Sequence, residues 1–75
     1  MEDPLIRFRA SDVDDAADTK YYGFLAPNGD WYILREDSVA KTYRYFRGRG
    51  NYGTAVTGAW ATRAALSYDY LDVIF

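Results

Sequence analysis

Residues 20–36 read KYYGFLAPNGDWYILRE, two aromatic and aliphatic runs around the turn Pro27-Asn28-Gly29-Asp30. Proline presets φ for a turn, asparagine and glycine tolerate positive φ, and both flanks have strand composition, so the segment predicts a β-hairpin. Alternation puts Tyr22, Phe24 and Ala26 on one face of its first strand. Trp31 and Ile33 share a face of the second, with the register between the two left open by the turn type.

The hairpin sets the reading of its neighbours. Past the polar break Glu36-Asp37-Ser38, residues 41–47 (KTYRYFR) predict a third strand, which Gly48, Gly50 and Gly53 end. Residues 48–58 read as a loop whose large side chain, Tyr52, is expected to anchor on the core. In TGAWATRAA (57–65), Trp60 and Ala64 have helical spacing and predict a turn or two of helix. From Leu66 onward, Leu66, Tyr68 and Tyr70 alternate with Ser67 and Asp69, the pattern of a half-buried strand. The apolar end Val73-Ile74-Phe75 is costly to leave in water and is expected to dock on the domain or on a partner. Ahead of the hairpin, Leu5 to Arg9 reads as a short strand or extended arm. Ser11 and Asp14 fit either a helix N-cap or a flexible acidic linker. The expectation is an acidic arm over 1–19 and a small, mainly β domain over 20–75. That domain is an antiparallel sheet, sandwich or barrel of about four to five short strands with a docking tail.

Such a fold has a thin core. The chain has 75 residues and no cysteine, so neither a disulfide nor a thiolate metal site reinforces it, and dense packing or oligomerisation must compensate. Its fourteen aromatics include eight tyrosines, a side chain suited to surfaces apolar on one side and wet on the other. Net charge is −2, but it is segregated. Glu2, Asp3, Asp12, Asp14, Asp15 and Asp18 crowd the lead, against Arg7 and Arg9. Lys41, Arg44, Arg47, Arg49 and Arg63 occupy residues 41–63 without an acid. The acidic lead is therefore expected to meet the basic half, in the same chain or in a neighbouring copy. No run of apolar residues is long enough to span a membrane. The charged first ten residues read as no signal peptide, so the reading expects a chain made in a cytoplasm.

Without histidine or cysteine, serine and cysteine triads and imidazole or thiolate metal sites are excluded. Asp69 and Asp72, three apart on an expected strand, point to opposite faces and form no catalytic pair. A calcium loop beginning at Asp12 fails on spacing. Its sixth position holds Ala17 where glycine is needed, and its twelfth holds Gly23 where glutamate is needed. No catalytic, cofactor or metal site is expected. The stretch TYRYFRGRGNYGTAV (42–56) interleaves arginine, aromatics and glycine and raises nucleic-acid binding through Arg44, Arg47, Arg49, Tyr45 and Tyr52. Arg49-Gly50-Asn51-Tyr52-Gly53 is a loose match to an RNA-binding box, and a sequence pI near 4.8 disfavours a polyanion. The competing use of Arg35, Arg44, Arg47 and Arg63 is stacking on Tyr43, Tyr45 and Trp60 or pairing with carboxylates.

The ordered pattern Tyr21-Tyr22-Gly23-Phe24, Trp31-Tyr32-Ile33-Leu34-Arg35, Tyr43-Arg44-Tyr45 closing at Gly48, Tyr52, and Trp60-x-x-Arg63-x-x-Leu66-Ser67-Tyr68 resembles a group of short tailed-bacteriophage proteins. These share a Tyr-x-Gly strand, a Trp-x-Ile-x-Arg strand, a short strand ending in glycine and a terminal Trp-x-x-Arg-x-x-Leu-x-Tyr segment. The likeness covers roughly residues 20–70 and leaves out the acidic lead and the DYLDVIF tail. It implies a non-enzymatic virion component, a homo-oligomeric β-domain at the head, neck, tail or fibre attachment. The partners implied are copies of itself and larger virion structural proteins, with no membrane. Tyr22, Phe24, Trp31, Ile33, Tyr45, Tyr52, Trp60, Leu66, Tyr68 and Phe75 are then the expected core or interface anchors. Arg44, Arg47, Arg49 and Arg63 are expected to pair with Asp12, Asp14 and Asp15. The alternatives are a nucleic-acid module built on residues 43–52 and a small factor docking on a host enzyme.

Overall fold

The computed structural model describes residues 8–74. Four strands, β1 (Arg9–Asp14), β2 (Thr19–Leu25), β3 (Asp30–Asp37) and β4 (Thr42–Arg49), form one antiparallel sheet in the order β1-β2-β3-β4. A 3-10 turn at Arg63–Ala65 and a four-residue helix, α1 (Leu71–Ile74), follow. The mainly β, antiparallel architecture is the one the sequence predicts.

The hairpin lies where its composition places it, and its register is now defined. Leu25 opposes Trp31 and Tyr22 opposes Leu34. The turn closes through Gly29 N–H donating to the Ala26 carbonyl, with Gly29 at φ +94°. The Asn28 side chain accepts from the Asp30 N–H at 3.0 Å, an Asx turn. Between β3 and β4, the Asp37 carboxylate accepts from the N–H groups of Val39 and Ala40, and Lys41 takes φ +60°. Both of these connections are thus held by a side-chain oxygen that accepts from backbone N–H groups.

One face of the sheet is covered. Residues 51–68 fold over it and bring Tyr52, Ala59, Trp60, Leu66 and Tyr68 onto Trp31, Ile33, Tyr21, Leu25 and Phe46. Ile33 at the centre is fully buried. Two glycines make room on this face, Gly23 for the covering layer and Gly48 for the ring of its cross-strand neighbour Trp31. A Cβ on Gly23 would lie 1.8 Å from the Tyr52 hydroxyl, and one on Gly48 would lie 2.5 Å from the Trp31 ring. The molecule is only 19 Å in its thinnest direction, enough for a sheet and one covering layer.

Three expectations change. Residues 9–14 are a sheet strand, neither helix nor linker, because Asp12 and Asp14 alternate onto the covered face and find partners there. A register shift between Ala10 and Asp12 keeps them on that face. Residues 57–65 do not form the expected helix. Turns bonded Gly58 to Thr54 and Thr62 to Gly58 replace it, with only the 3-10 turn at its end. Glycine and threonine are poor helix formers, and anchoring of Tyr52 and Trp60 outweighs a costly helix nucleus. The strand expected from Leu66 shrinks to one bridge, in which Tyr45 and Asp69 exchange backbone hydrogen bonds of 2.7 and 2.8 Å. The alternation still reports burial, since Leu66 and Tyr68 face the core. α1 rests near β4 with Val73 62% exposed. Phe75, and the part of the expected arm before Phe8, lie outside the described residues.

Candidate interaction face

The charges of the sequence resolve onto named partners. Arg63 donates from Nη2 to Asp14 at 2.8 Å and from Nε at 3.3 Å, joining the covering layer to edge strand β1. That bond, with the nearby positive charge, holds the Asp14 carboxyl below its usual range. Asp12 accepts from the Tyr52 hydroxyl at 2.8 Å. Burial first, and this bond second, raise the Tyr52 phenol well above its ordinary value; burial raises Tyr68 likewise. The acidic lead therefore meets the basic half within one chain at Asp14 and Arg63. Asp15 is exposed and has no ion pair among the described residues.

Arg49 and Arg44 depart from the expected pairing. Arg49 donates to Asp30, its register neighbour across β3 and β4, instead of to the lead. Arg44 lies over the Tyr70 ring at 4.0 Å and Arg35 over Tyr68 at 4.8 Å. Arg63 lies over Trp60 at 4.5 Å. Stacking of arginine on aromatics is present, but its acceptors come mainly from the C-terminal segment, not from Tyr43 and Tyr45. Arg44 is on the covered face, whereas Arg47 and Arg49 alternate to the other. The run that reads as one basic box in sequence is divided between two sides of a sheet.

The expected anchors divide in the same way. Trp31, Ile33, Tyr52, Trp60, Leu66 and Tyr68 build the core. Tyr22, Phe24 and Tyr45 lie on the opposite face with Tyr32 and Leu34, because Tyr22 registers with Leu34 and Phe24 with Tyr32. There, Phe24 stacks on Tyr32 at 4.6 Å and Phe8 meets Tyr32 edge-on at 5.0 Å. Next to this cluster runs a cross-strand row, Val13, Tyr22, Leu34 and Tyr45, one residue from each strand. Val13 is 57% exposed, the other three are part-exposed, and Tyr43 beyond them is 53% exposed. Tyr22 donates to Glu36 at 3.2 Å, and partial burial with this bond raises its phenol. Among the described residues, no second layer covers the row. Tyr32, Leu34 and Val13 were not singled out by sequence; the signal was the even spacing of Tyr32 and Leu34, opposite in phase to Trp31 and Ile33.

Two shallow clefts flank the sheet. One of about 340 Å³ lies between Phe8, Asp30, Trp31, Arg47, Gly48 and Arg49, and its carboxylate is the one paired with Arg49. Another of about 170 Å³ holds Asp12, already engaged by Tyr52. Among the described residues, no three metal-ligating side chains gather. No protein-family model, no curated protein and no solved structure matches this chain.

Proposed function

We propose that the chain is a non-enzymatic structural and interaction protein, a minor component of a tailed-bacteriophage particle that assembles with itself and with larger virion proteins. The observation that carries the reading is the cross-strand row Val13–Tyr22–Leu34–Tyr45, one residue from each strand, over which no second layer lies among the described residues. A soluble monomer gains nothing by holding such a row in water, whereas a subunit gains its interface. The particle assignment rests on the phage-like motif pattern. Absence of histidine and cysteine supports a non-enzymatic role. Nucleic-acid binding fares worse, since Arg49 is paired with Asp30 and Arg44 with Tyr70. Mass spectrometry of purified particles tests the reading: the chain is expected at a fixed copy number relative to the major structural protein. Its presence in infected-cell lysate but not in particles would end the proposal.

A further inference from the structure

We infer that one end of the sheet recognises a second copy of this chain: the acidic β1–β2 connection of each copy meets the basic β3–β4 connection of the other, about a two-fold axis normal to the sheet. The inference rests on the self-assembly in the proposed function and names a contact for it. The two connections, residues 15–18 and 38–41, leave the same end of the sheet, since Thr19 and Asp37 are register partners. The first reads Asp15-Ala16-Ala17-Asp18, and all four residues are exposed. The second carries exposed Lys41 and Val39, the latter 74% exposed. Two residues into the strands stand the part-exposed register partners Arg44 and Arg35. Among the described residues, neither of the two acids and none of the three cations has an ion-pair partner. The Asp37 carboxylate at this end is committed to the N–H groups of Val39 and Ala40. Like charges directly opposite on a sheet are destabilising, so Arg35 beside Arg44 calls for an anion that the chain does not itself supply.

A half-turn about an axis normal to the sheet, passing between β2 and β3 at this end, sets β1 opposite the partner's β4 and β2 opposite the partner's β3. Asp15 and Asp18 then face the partner's Lys41 and Arg44, while Ala16 and Ala17 face the partner's Val39. The same operation forms the reverse contact, two strand spacings or ~10 Å away. Surface ion pairs are weak when long side chains must first be ordered, but here much of the ordering is already done. The Asp18 carbonyl accepts from the Ser38 N–H and hydroxyl, each at 3.0 Å, which holds the acidic connection. Arg44 is stacked on Tyr70 at 4.0 Å and Arg35 on Tyr68 at 4.8 Å. Complementary charge of this kind sets orientation and choice of partner more than raw affinity. A polyanion fits less well, because phosphates adjoining those on Lys41 and Arg44 would meet Asp15 and Asp18 at the same end. The acidic lead is thereby divided: Asp12 and Asp14 are satisfied within the chain, and Asp15 and Asp18 by the next copy.

The test is sedimentation equilibrium of the full chain at ~0.01 M and ~1 M salt, between which the screening length falls from ~30 Å to ~3 Å. At low salt the mass is expected to rise with concentration from 8.6 kDa toward twice that value. High salt is expected to weaken the association roughly tenfold or more. Asp15→Lys with Asp18→Lys, and Lys41→Glu with Arg44→Glu, each set like charges across both contacts. Each double variant is expected to weaken low-salt association roughly tenfold or more. An equimolar mixture of the two is expected to restore it, because a mixed pair joins aspartate to Lys41 and Arg44 at one contact and lysine to glutamate at the other. Within each variant chain the charges at this end remain alike, so recovery on mixing reports only contacts between chains. Circular dichroism checks folding, and if the Arg44 variant unfolds, Lys41→Glu alone, on an exposed turn, is expected to show the same loss and recovery in smaller measure. A natural chain that stays monomeric at low salt, association indifferent to salt or to both double variants, or a mixture that does not recover would overturn the inference. So would a gain in mass seen only with an added oligonucleotide. Association that survives both variants, in a chain found in particles, leaves the proposed function standing without this contact. A salt-sensitive pair rescued by mixing, in a chain absent from particles, does the reverse.

Discussion

Gly23 and Gly48 sit where side chains of the covered face pass closest to the backbone. Any Cβ at either position would enter the Tyr52 or Trp31 ring. Gly23→Ala and Gly48→Ala are therefore expected to destabilise by roughly 1–3 kcal/mol each through overpacking. Gly53→Ala, where nothing lies within 4 Å, is expected to change little. Urea denaturation of the three variants checks the contrast, and equal losses would refute the packing account. Tyr52 carries a second residue-scale prediction. Its hydroxyl bonds Asp12 from a buried position, so Tyr52→Phe is expected to cost about 1 kcal/mol at neutral pH. Its phenol is raised in the fold, so the associated stability is present below the unfolded tyrosine value, near 10, and is lost as pH rises beyond it. Tyr52→Phe should lessen the alkaline loss of stability, while Tyr68 retains its share. A urea midpoint that falls equally from pH 9 to 11 in both proteins would contradict this.

At the scale of elements, β1 is held to the covering layer by an ion pair and a hydrogen bond that span 49 and 40 residues of sequence. The Asp14 carboxyl is lowered in the fold, so its contribution is present above its ordinary value of 3.8 and is lost as pH falls through and below it. Asp14→Asn is expected to destabilise at pH 7 and to be much closer to the natural chain at pH 3. Urea midpoints at the two pH values measure it, and an undiminished difference at pH 3 would assign the effect to packing. This long-range tie also explains what could and could not be read in advance. The hairpin and β4 were legible because their turns and alternation are local. β1 was not, because acids on a strand face look like a solvated arm until Arg63 and Tyr52 are known to lie opposite. The face assignment of Tyr22, Phe24 and Tyr45 was illegible for a related reason. When both phases of a strand are aromatic, composition cannot say which phase the covering layer selects, and the register of a four-residue turn decides it. Tyr52 was legible, since one large side chain among glycines has few other uses.

At the scale of the whole molecule, a chain with one covered face and a single fully buried side chain among its described residues has little core to spare. Below ~70–80 residues such a core supplies only ~3–5 kcal/mol. If the chain assembles with itself, as proposed, part of the stability comes from mass action and varies with protein concentration. The thermal midpoint of the natural chain is then expected to fall by roughly 3–8 °C for each tenfold dilution across the dimerisation range, given the small unfolding entropy of a domain this size. Val13→Arg, which puts a charge into the exposed end of the row, should show no such dependence. Its midpoint should match that of the natural chain at the dilute limit, because an exposed valine contributes little to the isolated fold. Scanning calorimetry over two decades of concentration makes the comparison. A midpoint that does not move with dilution would mean that the sheet with its one covering layer is stable alone, and that the row Val13–Tyr22–Leu34–Tyr45 has no part in holding the molecule together.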